Sequence, residues 1–122
     1  MSYTITVENK IQLGFIRRVL TVYVMLKLGQ WKNAFNEVFQ YTEGLEVLPP
    51  ETRAISTLIK ILPDSRLSIH NKSITEGTRI CWDMAQVIRH QEYLDMSEKD
   101  KKLKPYGKAI HKTSKLPLIE CK

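Results

Sequence analysis

Four stretches in which apolar residues recur every three or four positions, set apart by Gly29, Pro49-Pro50 and Pro63, constrain this chain more than any other feature. That period is helical, because 3.6 residues complete a turn and side chains three or four apart share a face. From about Glu8 to Leu28 the apolar set is Ile11, Phe15, Ile16, Val19, Leu20, Tyr23, Val24 and Leu26, which leaves Lys10, Gly14, Arg17, Arg18 and Thr21 for the other side. A first helix packed on its apolar set is the expectation. The β-branched residues Val19, Thr21, Val22 and Val24 make a strand the competing reading of its second half.

Gly29 supplies a left-handed end to that helix, and a second runs to about Thr42 with Trp31, Phe35 and Phe39 in one row and Val38 beside them. Leu28-Gly29-Gln30-Trp31-Lys32-Asn33-Ala34 resembles the middle of a tetratricopeptide repeat over these few residues. A single unit of that kind reads as a helix-turn-helix connection. Pro50 at a first helical position and Glu51 in the first turn open a third helix to Leu62, its stripe formed by Ala54, Ile55, Leu58, Ile59 and Leu62. Ser73-Ile74-Thr75-Glu76 has the spacing of a capping box, in which the serine and glutamate side chains satisfy free amides, and it opens a fourth helix over about 74–95. There Cys81 aligns with Ile80, Met84, Val87 and Ile88 as core. Ser97-Glu98-Lys99-Asp100 repeats the signal, but Pro105 and Gly107 leave room for only a short helical turn after it. At the N-terminus Tyr3, Ile5 and Val7 alternate with Thr4, Thr6 and Glu8, the period of a half-buried strand. The expected fold is all-α, a small bundle of about four helices with a short N-terminal strand added.

A chain of 122 residues supports one core, and 43% hydrophobic with 26% charged residues excludes a disordered or disulfide-scaffold class. Charge divides the chain in two. Residues 1–98 carry 11 basic and 11 acidic side chains, whereas 99–122 carry eight lysines against Asp100 and Glu120, so the whole excess of +6 lies there. The division is a helical globular domain at 1–98 and a lysine-rich C-terminal tail at 99–122, removable without loss of the fold. Lys101, Lys104, Lys108, Lys112 and Lys115 succeed one another at three, four, four and three residues, which is one side of a helix. Pro105 interrupts that row and opens a short second helix for Lys108, Lys112 and Lys115. A lysine row beside phosphates releases counterions, and arginine suits phosphate recognition, which adds Arg17, Arg18 and Arg89 of the first and fourth helices. Trp82 and Tyr93 fall close to Arg89 on the fourth helix, away from its apolar row, and form a surface for a partner.

No chemistry of bond-making is legible. His70, His90 and His111 stand 20 and 21 residues apart with no second ligand at helical spacing, so neither a metal site nor a cofactor is expected. No paired carboxylates, phosphate loop or nucleophile elbow appears, and no catalytic residue is assigned. Two cysteines without a Cys-x-x-Cys pair fit a reducing compartment, and the N-terminus lacks the pattern of a secretory signal. The most apolar run, Val19 to Leu28, is half of the ~20 residues needed to span a membrane. The expectation is a cytoplasmic, non-enzymatic regulator, monomer or homodimer, that binds nucleic acid or a nucleoprotein through the basic tail and helix arginines. In a ribbon-helix-helix form of that reading, Thr4, Thr6 and Glu8 of the strand would enter the major groove. The alternative is an adaptor or inhibitor that binds a protein through a helix face.

Overall fold

The computed structural model describes residues 2–40, 57, 60, 61 and 67–122. The chain is all-α, with four helices and no strand among the described residues: α1 (Lys10–Lys27), α2 (Trp31–Gln40), α3 (Glu76–Leu94) and α4 (Glu98–Leu103). The expected third helix over 50–62 lies outside them except for Thr57, Lys60 and Ile61, which are helical. The Phe39 side chain also lies outside. Residues 2–8 form no strand, and Tyr3 and Ile5 stand in solvent. A strand needs a second strand to receive its backbone groups, and none is present among the described residues.

Each of α1, α3 and α4 begins where a short polar side chain takes up a free amide. Asn9 Oδ1 accepts from Gln12 N at 2.9 Å, and Gln12 Oε1 accepts in turn from Glu8 N at 3.1 Å. Thr75 caps α3 by accepting from Thr78 N, two residues later than the capping box predicted. Asn71 explains the shift, since its side chain accepts from both the amide and the hydroxyl of Ser73, and a serine so engaged cannot cap. Ser97 caps α4 as its spacing predicted, accepting from Asp100 N. At the end of α1, Gly29 adopts φ 77° and turns the chain into α2, whose Ala34 is buried. The β-branched stretch of α1 is helical throughout.

The central packing joins α1 to α3, and α2 packs on α1. Val24 of α1 and Leu28, just past its end, meet Ile74, two residues before α3, with Ile69, Cys81 and Trp82 packed around them. Cys81 is therefore a packing residue, as its spacing indicated. The face that α1 turns inward is only partly the one its apolar pattern predicted: Val24 of the expected set is buried, but so is Thr21 from the other side, Arg17 pairs with Glu92 of α3, and Gly14 lies against that glutamate. Thr21 tolerates burial because its hydroxyl donates to Arg17 O at 2.8 Å. Ile11, Phe15, Val19 and Tyr23 face outward instead.

The C-terminal segment is neither free nor helical beyond Leu103. It runs back along α3 as a strap, antiparallel to the helix and held by side chains on one face of it. His90 Nδ1 donates to Gly107 O (2.7 Å), and Gln86 pairs twice with the His111 backbone, donating to its O and accepting from its N, both at 2.8 Å. The Asp83 carboxylate accepts from the amides of Thr113 and Ser114, and Glu76 Oε1 accepts from Lys115 N (2.6 Å). From Glu76 to His90 is about 21 Å of helix, so the strap from 107 to 115 advances roughly 2.6 Å per residue, well beyond a helical rise. The expected helix bearing Lys108, Lys112 and Lys115 therefore does not form. The amides that a helix would pair internally are taken by Asp83, Gln86 and Glu76.

Gly107 is the point of closest approach. It has φ 88°, and a Cβ there would sit 2.8 Å from the carbonyl oxygen and from Cγ of Arg89. Replacing Gly107 by alanine is expected to cost about 2 kcal/mol, from left-handed strain and this clash together, and to lower the melting temperature by several degrees in a thermal scan.

Candidate functional site

The strap and the C-terminal half of α3 bring together cations that lie far apart in sequence. Arg89 stands at the centre, half-buried between two open grooves. One, of about 360 Å³, runs between Arg89, Lys108 and His111. The other, of about 350 Å³, is lined by Arg17, Arg89, Glu92, Lys104 and Tyr106. The acid in this group, Glu92, is bound by Arg17. Burial lowers the pKa of the Arg89 guanidinium from its ordinary value, and the neighbouring Arg17 lowers it further, against a smaller opposing pull from Glu92. A guanidinium titrates too high for this to discharge it. The site thus holds a partly desolvated positive charge, and Glu92, the carboxylate that acts on it, is already engaged by Arg17.

Of the residues expected to bind phosphate, the structure gathers Arg17, Arg89, Lys104 and Lys108 around these grooves. Lys112 and Lys115 continue along the strap, exposed, on either side of the point where the Asp83 contacts fasten it. Lys101 is not part of this set: its ammonium reaches Glu98 at 3.3 Å and lies over the ring of Tyr93, 5.6 Å from its centre. Arg18 lies elsewhere, on α1, with its guanidinium 5.4 Å from the centre of the Phe15 ring. The expected partner surface of Trp82 and Tyr93 is also divided. Trp82 packs on the apolar cluster of Val24, Leu28 and Ile74, while Tyr93 stacks beside His90 and carries Lys101. Trp82 is half-buried because Val24 of α1 and the adjoining Leu28 pack there.

The residues that build the site are the polar row Glu76, Asp83, Gln86 and His90 of α3, whose role is not legible in the sequence. Their spacing of seven, three and four residues marks one face, but a polar helix face reads as solvent-exposed unless its partner segment is known. Asp83 and Gln86 are in fact buried. Arg79 is engaged too, donating to the carbonyls of Ile74 and Asn71 and bracing the turn into α3. Among the described residues no group of three or more His, Cys, Asp and Glu side chains is arranged to hold a metal ion, and no helix is long and apolar enough to cross a membrane. No known protein family, curated protein or solved structure matches this chain.

Proposed function

We propose that this protein is a small non-enzymatic regulator that binds nucleic acid through the phosphate backbone, using Arg89, Arg17 and Lys104 beside the grooves and Lys108, Lys112 and Lys115 along the strap. One observation carries the reading: the strap is fastened along about 21 Å of α3, so its lysines are spread over a length that matches a run of phosphates rather than one small anion. Fixing the backbone beforehand removes ordering entropy that a free tail would lose on binding. The lysines attract without reading bases, so binding of this kind is largely indifferent to sequence. Two unpaired cysteines are consistent with the cytoplasm as its setting.

The test is the salt dependence of binding to a labelled duplex of about 20 base pairs. With about five phosphate contacts, the log–log slope is expected near −4 to −5. Changing Lys108, Lys112 and Lys115 to glutamine should bring the slope to about −2 and weaken binding at low salt by more than tenfold, with helicity unchanged, because the strap is held by its backbone. An unchanged slope would remove the strap from the interface. The adaptor reading, in which a helix face binds another protein, predicts a complex with protein that survives about 0.5 M salt.

A further inference from the structure

Helix α1 carries two opposed faces with apolar residues, and among the described residues only one of them is covered by the rest of the protein. The inner face, with Thr21, Val24 and Arg17, lies on α3. On the outer face Ile11 is 72%, Phe15 51%, Val19 68% and Tyr23 42% exposed. These four recur at intervals of four residues and make one continuous apolar ridge along about 18 Å of helix, with Ile16 beside it. Single exposed apolar side chains are ordinary on a protein surface. A contiguous row is not, and a helix apolar on opposite faces is one that is covered on both.

We propose that this ridge is the interface of a homodimer in which the α1 helices of two copies pack antiparallel about a two-fold axis at the level of residue 17. The order of side chains is self-complementary in that arrangement. Phe15 of each copy meets Val19 of the other, and Ile11 meets Tyr23, so a larger ring faces a smaller branched side chain at every rung, and each contact occurs twice, as two-fold symmetry requires. Charge agrees with size. Glu8, just before α1, comes level with Lys27 of the other copy, whose ammonium already lies over its own Tyr23 ring, 5.7 Å from the centre. The exposed parts of the ridge and Ile16 together are on the order of 500 Å². With the polar rim that surrounds such a ridge, this approaches the ~800 Å² per partner of a stable interface. The strap is fastened to a different helix, α3, so dimerisation leaves it open and presents two basic surfaces.

Sedimentation equilibrium on the full chain from about 1 to 200 µM tests the proposal. The expected result is a reversible monomer–dimer equilibrium with a melting temperature that rises with concentration. Val19→Glu should shift the chain to monomer across this range with its helical signal retained. A wild-type chain that is monomeric at the top of the range would overturn the proposal, as would a V19E variant that remains dimeric. A wild-type monomer whose V19E variant unfolds would equally overturn it, by showing that the chain covers this face itself. Should V19E unfold in a chain that does dimerise, the charge pair decides: Glu8→Lys or Lys27→Glu alone should weaken dimerisation severalfold and the double exchange should restore it. Failure of the restoration would place the interface elsewhere. Duplex binding by the lysine-to-glutamine variant is measured independently and does not bear on this outcome.

Discussion

Replacing Asp83 by alanine is expected to lower stability by about 3–5 kcal/mol and the melting temperature by on the order of 10–20 °C. The residue is only 3% exposed and has no ion-pair partner among the described residues. Dipoles hold its carboxylate instead. The oxygens accept from Thr113 N at 2.9 and 3.1 Å, from Thr113 Oγ1 at 2.8 Å and from Ser114 N at 2.8 Å, so donors of the strap replace the hydration of the charge. Alanine would leave those donors facing an apolar wall, and each buried amide without an acceptor costs about 1–3 kcal/mol. Burial by itself raises the pKa of this carboxyl, but the hydrogen bonds from Ser114 and Thr113 outweigh it and leave the value below that of an ordinary aspartate. The folded state therefore binds this proton less readily than the unfolded chain does. The stabilisation is complete above the unfolded value near ~3.9 and is lost as pH falls through the lower folded value. An acid titration of thermal stability should be steeper for the wild type than for the alanine variant in that window. A variant melting within about 2 °C of wild type would mean that the strap is not fastened at Asp83.

Deletion of residues 107–122 is expected to abolish the cooperative unfolding transition or to bring it close to about 37 °C. The deletion removes the partners of His90, Gln86, Asp83 and Glu76 together. Three neutral pairs at about 0.5–1.5 kcal/mol each and four to carboxylates at about 1.5–3 put the loss on the order of 10 kcal/mol. The total stability of a domain of this size is about 5–15 kcal/mol. The remaining apolar core is modest: the buried apolar side chains among the described residues are Val24, Leu28, Ala34, Ile74, Ala85, Val87 and Ile88, and two of them are alanines that bury little surface. A thermal melt measured by circular dichroism, with proteolysis of α3 as a second probe, reads the effect. If the truncated chain melts like the intact one, the segment is the detachable tail that its charge alone implies. The two expectations differ because a run of lysines looks solvated in sequence, whereas in the fold only their side chains are.

What the sequence by itself determined are the local features. Ser97 and Gly29 mark helix ends because a side-chain oxygen reaches an amide three residues away, or because glycine tolerates positive φ, and neither needs a distant partner. The helical period over α1, α2 and α3 is legible for the same reason, even through the β-branched run at Val19 to Val24, since a favourable pattern over about five turns exceeds a local preference of a few tenths of a kcal/mol per residue. The basic character of residues 99–122 is likewise a matter of counting. Which side of each helix is inside was left to the tertiary structure. On α1 the more apolar ridge was the natural choice, yet Arg17 and Thr21 turn inward because Glu92 and a backbone carbonyl satisfy them there. On α3 the row from Glu76 to His90 becomes an attachment face because the chain returns along it, and that return spreads the lysines along the helix. Burial of a polar side chain depends on an acceptor or donor supplied from tens of residues away, so no window of sequence around it contains the information.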